Sequence, residues 1–350
     1  MKPLVSILIP AYNAEQTIAY TIQSALAQTW PRREIIVIND GSTDRTLEIV
    51  KRFASKEVLV ISSENRGCSA ANNLGLRHAQ GDFIQELDSD DLLAPDKIER
   101  QLSALGPDDS RRILLSSPWA SFYYRTRNVK FVRNSLWEDL SPTEWLLRKM
   151  GQNLYMQNAT WLVSRELAEA AGPWDERLYY DNDGEYFARV LMKSEGTRFV
   201  PGTGIYYRAT TPNSLSYIGN SDRKKDSLFL AMKLHIQYLL SLEDSSRSRE
   251  ACLTYLRAWY PNFYPERQEI IEEMQKIAAD LQGHLEEPSL RWKFAWIQPV
   301  FGWKLAKWAQ TALPIFKATC IRQCDKALFR FEFRNGEWMV TSPAKTAWRD

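Results

Sequence analysis

Short apolar runs rich in β-branched residues alternate with amphipathic stretches along the first hundred positions. Leu4-Val5-Ser6-Ile7-Leu8-Ile9 stops at Pro10 and reads as a buried strand. From Ala14 to Gln28, Ile18, Ile22, Ala25 and Leu26 recur at helical spacing, and that helix must end before Pro31. Glu34 to Ile38 predicts a second strand running into Asn39-Asp40-Gly41-Ser42, where Ser42 or Thr43 can cap a helix from Thr46 to Phe53. Val58 to Ile61 predicts a third strand, Ser69 to Ala79 a helix and Asp82 to Leu87 a fourth strand. Strands separated by helices of this length predict an α/β fold of parallel βαβ units with right-handed crossovers. Ligands of such sheets bind at the carboxyl ends of the strands.

Further along the pattern is less regular. A helix is expected over Asp96 to Leu105, strands over Ile113 to Ser116 and Ala159 to Val163, and a helix over Arg165 to Ala171. From about Ser221 the chain reads as helical, with Glu266 to Gly283 one amphipathic helix, and a domain shift is expected near Gly219-Asn220. The expected division is 1–219 as a catalytic domain (halves 1–105 and 106–219) and 220–350 as a mostly helical region.

The chain has 350 residues, long enough for about two domains. A net charge of +2 gives no chain-wide reason to expect nucleic-acid binding. Cys68, Cys252, Cys320 and Cys324 form no CxxC pair and read as reduced thiols of a cytosolic chain. The apolar run after Lys2 is too short for a signal peptide, and no uncharged apolar stretch of about 18 residues predicts a membrane span.

The chemistry concentrates at the strand ends. Asp88-Ser89-Asp90-Asp91 places three carboxylates in four residues, where like charges repel unless a cation or donors compensate. Such hard oxygen ligands suit Mg²⁺ or Mn²⁺ shared with substrate phosphates; the plainer alternative is a helix cap or a solvated cluster. Asp91 is read as the cap of the following helix. Tyr12 offers a ring for stacking a base or serves as a turn aromatic, and Asp40 can accept a base N–H or form an Asx turn like that expected of Asp44.

Four segments carry a resemblance. They are Val5 to Asn13, Ile36 to Asp44, Asn65-Arg66-Gly67-Cys68-Ser69-Ala70-Ala71-Asn72-Asn73, and Leu87-Asp88-Ser89-Asp90-Asp91. Together they resemble family 2 glycosyltransferases in content, order and spacing. The resemblance implies a GT-A fold, a Rossmann-like mixed sheet flanked by helices, here with a helical C-terminal region. It also implies inverting, metal-dependent transfer of a sugar from a nucleoside diphosphate, usually UDP, to a saccharide or lipid-linked acceptor. By position, Pro10, Ala11, Tyr12, Asn13, Asp40, Asn72, Asp88 and Ser89 become donor-binding, and Asp90 with Asp88 the Mn²⁺ or Mg²⁺ ligands. Tyr179 to Arg189 resembles the family's later acidic motif and puts Asp183 at the general-base position, with Asp181 and Glu185 as rivals.

Two departures stand out. Asn39 replaces the usual first Asp of the second motif, and the usual Arg before Asn72 is missing, so a cationic contact to the diphosphate is either absent or supplied by Arg66 or Arg77. In Gly172-Pro173-Trp174-Asp175-Glu176, Trp174 either stacks on a sugar or packs. The aromatic loops Trp119 to Tyr124 and Trp137 to Trp145 suggest a carbohydrate-stacking surface. Two other classes compete. A sugar-phosphate nucleotidyltransferase would need a Gly-rich basic loop after the first strand, which Pro10 to Asn13 does not supply; a non-catalytic nucleotide-sugar-binding scaffold would not need all three of Asp88, Asp90 and Asp183. Finally, residues 289–324 hold Arg291, Lys293, Lys304, Lys307, Lys317 and Arg322 and no acid, interleaved with Trp292, Trp296, Trp303 and Trp308. They read either as a peripheral contact with an anionic membrane or as a helical subdomain packed on the core.

Overall fold

The computed structural model describes residues 2–106, 109–127, 129–209, 217–219, 221–288, 297–332 and 348–349. Its first half alternates β1 (Val5–Ala11), α1 (Ile18–Leu26), β2 (Arg33–Asp40), α2 (Thr46–Lys51), β3 (Val58–Ser63), α3 (Cys68–His78) and β4 (Phe83–Glu86). Then come β5 (Leu92–Leu93), α4 (Lys97–Ser103), β6 (Ile113–Ser116), β7 (Trp119–Phe122), β8 (Phe131–Val132) and α5 (Pro142–Gly151). After these follow β9 (Val163–Ser164), α6 (Arg165–Ala171), α7 (Asn182–Lys193), β10 (Gly196–Phe199) and β11 (Ile205–Arg208). Three helices complete the packed body: α8 (Asp222–Leu242), α9 (Ser246–Trp259) and α10 (Gln268–Asp280).

The main sheet has the order β3-β2-β1-β4-β9, parallel except for β9, which runs antiparallel to β4. Both faces of β1 are buried, which explains its unbroken apolar run. Ile7 and Ile9 pack with Ile18, Ile22 and Val50 of α1 and α2, while Leu8 joins Ile36, Ile38 and Ala71 on the α3 face. The α3-face core continues without a break through Trp161 and Phe187 to Leu228, Met232, Cys252 and Met274 of α8 to α10. A smaller sheet of β5, β11 and β7 brings the end of β11 beside the segment after β4.

Three local expectations change. The helix read from Ala14 starts at Ile18, because Ala14 N–H donates to Thr46 Oγ1 at 2.7 Å and Glu15 N–H to Asp44 Oδ2 at 3.1 Å. Those donors tie the chain to the next loop instead of opening a helix. Neither Ser42 nor Thr43 caps α2: the residue before the helix is Arg45, Asp44 Oδ1 accepts from Thr46 N–H at 2.9 Å, and Ser42 and Thr43 bond Asn13. The strand expected over Ala159 to Val163 is a single 3-10 turn, Asn158–Thr160, followed by the short β9. The carbonyls of Ala159 and Thr160 accept from buried Gln85 and Gln101, and a turn exposes those carbonyls where a strand would pair them.

A long helix, Ile297–Glu332, follows and kinks at Gly302 (φ 79°, ψ 167°), and a two-residue strand, Trp348–Arg349, pairs with β8. Trp292, Trp296, Arg291 and Lys293 lie outside the described residues, as do the side chains of Trp303, Lys304, Lys307 and Trp308. Among the described residues no helix is long and apolar enough to cross a membrane. All four cysteines are free.

Candidate active site

The ends of β1 and β2 are laced together by Asn13. It adopts a left-handed φ of 49°, and its Oδ1 accepts from Thr43 N–H at 2.9 Å while its N–H donates to Ser42 Oγ at 3.1 Å. Pro10 and Ala11 lie within β1, and Tyr12 follows with 51% of its surface exposed, open to a flat ligand. Asp40 ends β2 and is buried. Its two oxygens accept from Arg66 N–H and Gly67 N–H, each at 2.9 Å, so it moors the loop before α3. The neighbouring Gly41 has φ +66°, and a Cβ there would stand 2.6 Å from Asn65 N, so this mooring requires glycine. A base N–H would therefore meet a carboxylate that already carries two donors.

Beyond β4 the acidic residues separate. Asp88 is half-buried, and Asn158 Nδ2 donates to its Oδ1 at 2.9 Å. Burial, with the charges of Asp90 and Asp183 added, pushes Asp88 up to about 7. Burial also raises Asp90, against the pull of the Arg208 guanidinium. Ser89 stands between them in the turn. Asp91 does not cap a helix: it is fully buried, its Oδ1 accepts from Arg208 N–H at 2.7 Å, and the next helix begins only at Lys97, behind Asp96. Arg208 also donates from Nε to the Asp90 carbonyl at 2.8 Å and lies over the Phe122 ring at 4.4 Å. Sequence reading passed over Arg208, which sits 118 residues from Asp90 at the end of a short strand without a motif.

The start of α7 supplies the third carboxylate. Asp183 lies in its first turn and is pushed up to about 6 by burial and then by the charge of Asp181, with Lys149 and the Gly184 N–H acting the other way. Of the two rivals, Glu185 is occupied. Glu185 is buried in a fork with Arg189 at 2.6 and 2.9 Å and accepts from Tyr238 Oη at 2.7 Å. Asp181 precedes the helix at φ 56° and lies 3.8 Å from the buried His235, whose own value burial lowers to about 3. Gly184 makes room for this: a Cβ there would stand 2.2 Å from Asp181 Oδ1.

The remaining candidates take structural places. Asn72 is buried in α3, its Nδ2 aimed at Cys68 Sγ at 3.7 Å and its Oδ1 without a partner. The Cys68 thiol is raised by burial and by the charges of Asp88, Glu86 and Asp183, which puts it in the same acidic pocket. Arg66 pairs with Glu176 at 2.9 Å, so the cation standing at the acidic turn is Arg208. Trp174 packs: it is 2% exposed and stacks on Tyr186 with ring centres 4.2 Å apart. Trp137 and Trp145 are likewise core residues, stacked with Phe199 and tilted against Trp161. The exposed aromatic beside Asp183 is Tyr155, whose ring lies 5.1 Å from Trp119 and whose hydroxyl is raised by burial and by the Asp183 charge. A separate cavity of 670 Å³ borders Arg77, Glu176, Glu185 and Arg189 and holds none of Asp88, Asp90 and Asp183.

Among the described residues no three His, Cys, Asp or Glu side chains converge tightly enough to hold a metal alone. Asp88 and Asp90 nevertheless form a hard, mutually repelling oxygen pair, the donor set that Mg²⁺ or Mn²⁺ completes with ligand phosphates and water. The pair fits that use.

Comparison with known proteins accords with this layout. The glycosyl transferase family 2 model matches residues 6–170. An uncharacterized glycosyltransferase of Rickettsia typhi is 32% identical over 193 residues, covering 55% of this chain and 60% of that protein. The chain thus spans only part of that relative's length. Chondroitin synthase of Pasteurella multocida is 40% identical over 129 residues, 36% of this chain and 12% of that one. The crystal structure of S. aureus TarS 1–349 in complex with UDP superposes with a TM-score of 0.59 at 18% identity, covering 79% of this chain and 80% of its own. By these matches residues 6–170 form a glycosyltransferase family 2 domain, and the mixed sheet with flanking helices has the GT-A fold.

Proposed function

We propose that the protein transfers a sugar from a nucleoside diphosphate, UDP in the first instance, to a hydroxyl of a saccharide or lipid-linked acceptor, with inversion. One observation carries this reading: Asp88, repelled by both Asp90 and Asp183, joins the turn after β4 to the first turn of α7 in one acidic pocket. Support for the donor comes from the TarS crystal structures in complex with UDP and with UDP-GlcNAc, which share the fold.

Tyr12 stacks the base at the end of β1, and Asp88 and Asp90 face the diphosphate. A divalent cation held by Asp90 and Asp88 supplies, when bound, Lewis-acid neutralisation of the charge on the leaving diphosphate. Asp183, ionised above about pH 6, takes the proton of the acceptor hydroxyl. The freed oxygen bonds the anomeric carbon as the bond to the diphosphate oxygen breaks, and the electron pair leaves with the diphosphate. One displacement with base and leaving group on opposite faces inverts the centre, the geometry familiar from inverting glycoside hydrolysis. Glu185 is already held in a two-point ion pair with Arg189, so its carboxylate is engaged and does not face the acceptor.

Calorimetric titration with UDP and a set of UDP-sugars, with and without Mn²⁺, tests the reading. Binding that depends on Mn²⁺, followed by UDP release when a suitable acceptor is added, is the expected result. If no nucleotide binds under either condition, the proposal fails.

A further inference from the structure

The helix Ile297–Glu332 is docked by its acids. Asp325 accepts from Tyr124 N–H at 2.8 Å and Arg125 Nε at 2.7 Å, and Glu332 accepts from Arg125 Nη1 at 2.8 Å. Phe329 fits between Tyr20 and Tyr124, with ring centres 6.0 Å from each. Asp325 and Glu332 are the only acids in a helix that also holds six Lys and Arg, so both of its negative charges are spent on Arg125. The side turned to the core, Ala318, Arg322, Asp325, Lys326 and Phe329, is half-buried.

The opposite side is apolar. Phe316, Cys320, Cys324, Ala327 and Phe331 recur at intervals of four, four, three and four residues, one stripe of an α-helix, and all are exposed. Phe316 and Phe331 expose 69% and 75% of their surface. Lys317 borders the stripe on one flank and Arg330 on the other, both exposed. A stripe of this length with cations on both edges and no outward acid matches an interface of apolar chains beneath anionic headgroups. A second copy of the same stripe would set like charges against each other.

We infer that this face of the C-terminal helix rests on an anionic lipid surface, with Phe316 and Phe331 inserted and Lys317 and Arg330 at headgroup level. Because the inner side of the helix grips Tyr124, and Arg208 lies 5.9 Å from the same ring, the acidic pocket then opens close to that surface. The inference concerns where the protein works and does not depend on the transfer reaction.

The test is co-sedimentation of the full chain with phosphatidylcholine vesicles, with and without phosphatidylglycerol. Wild type should pellet with the anionic vesicles at low salt and be released by high salt. Phe316→Ser/Phe331→Ser and Lys317→Glu/Arg330→Glu should each bind about tenfold more weakly or less, given the usual contribution of one basic residue at such a surface. A wild type that stays in the supernatant, or either double variant pelleting like wild type, overturns the inference. So does a lipid-free dimer in sedimentation velocity that Phe316→Ser/Phe331→Ser abolishes, because the face would then belong to a second copy. UDP titration of the same variants separates the two readings: it should match wild type, and loss of UDP binding in wild type itself would concern only the transfer proposal.

Discussion

Asn158 Nδ2 donates to Asp88 Oδ1 over 2.9 Å, and in doing so opposes the burial and like charges that push this carboxyl up to about 7. The donor comes from a single 3-10 turn held by Gln85 and Gln101, so a buried amide layer sets the charge of a site carboxylate. Asn158→Ala should raise Asp88 further and leave it protonated near neutral pH. A hydrogen bond to a charged group contributes about 1.5–3 kcal/mol, so UDP affinity at pH 7 should fall roughly tenfold and recover at higher pH. Calorimetry across pH measures both parts.

The same repulsion has a signature in stability. Asp88 and Asp183 are raised in the folded state, to about 7 and about 6, so between pH 4 and 7 these two carboxyls hold more protons in the folded protein than in the unfolded chain. Their contribution to stability therefore falls as pH rises through that window, the reverse of a salt-bridged carboxylate, while buried His235, lowered to about 3, works in the opposite direction. Asp88→Asn should stabilise the free protein by about 1 kcal/mol at pH 8 and by nothing measurable at pH 4. Urea unfolding at the two pH values distinguishes these outcomes.

Asp183 and Glu185 sit two positions apart on α7 and should fail in different ways. Asp183→Asn should lower turnover by about 10²–10⁴ while UDP affinity stays within a few-fold. Glu185→Gln leaves Arg189 buried beside a neutral partner and should cost about 3 kcal/mol of stability. Initial rates, UDP titration and denaturation of both variants assign the base. Full activity in Asp183→Asn would remove it from that role.

Glycine to alanine inside a helix ordinarily stabilises by about 1 kcal/mol. At Gly184 the sign should reverse. The new Cβ would press on Asp181 Oδ1, which lies within reach of His235, and the displaced carboxylate would disturb the charge on Asp183. We expect Gly184→Ala to lose about 1 kcal/mol and to shift the acid limb of the rate profile. Thermal denaturation and a pH–rate profile measure the two effects.

The doubly buried β1, the alternation of strands and helices and the acidic turn were all readable in one dimension, because they depend on short-range periodicity and on motif spacing within about ten residues. The cluster holding Asp88 and Asp90 could be seen in that pattern, and Asp183 follows from the resemblance of Tyr179 to Arg189 to a family motif. What stacks and what packs could not be seen there. Trp137 and Trp145, read as part of a carbohydrate-stacking surface, are core, Trp174 takes the packed one of its two readings, and Tyr155, in an unremarked stretch, is the exposed ring beside Asp183. The resemblance favours Asp183 over Asp181 and Glu185, which share one short segment. The structure adds what no spacing shows, that Arg189 and Tyr238 engage Glu185 and that His235 and Lys149 flank Asp181. Asn158 and Arg208 reach the acidic turn across 70 and 118 residues of chain. Spacing at that range carries no signal, because it is the packing of separate elements around one core that brings such groups together, and so only the tertiary structure decided which charges meet.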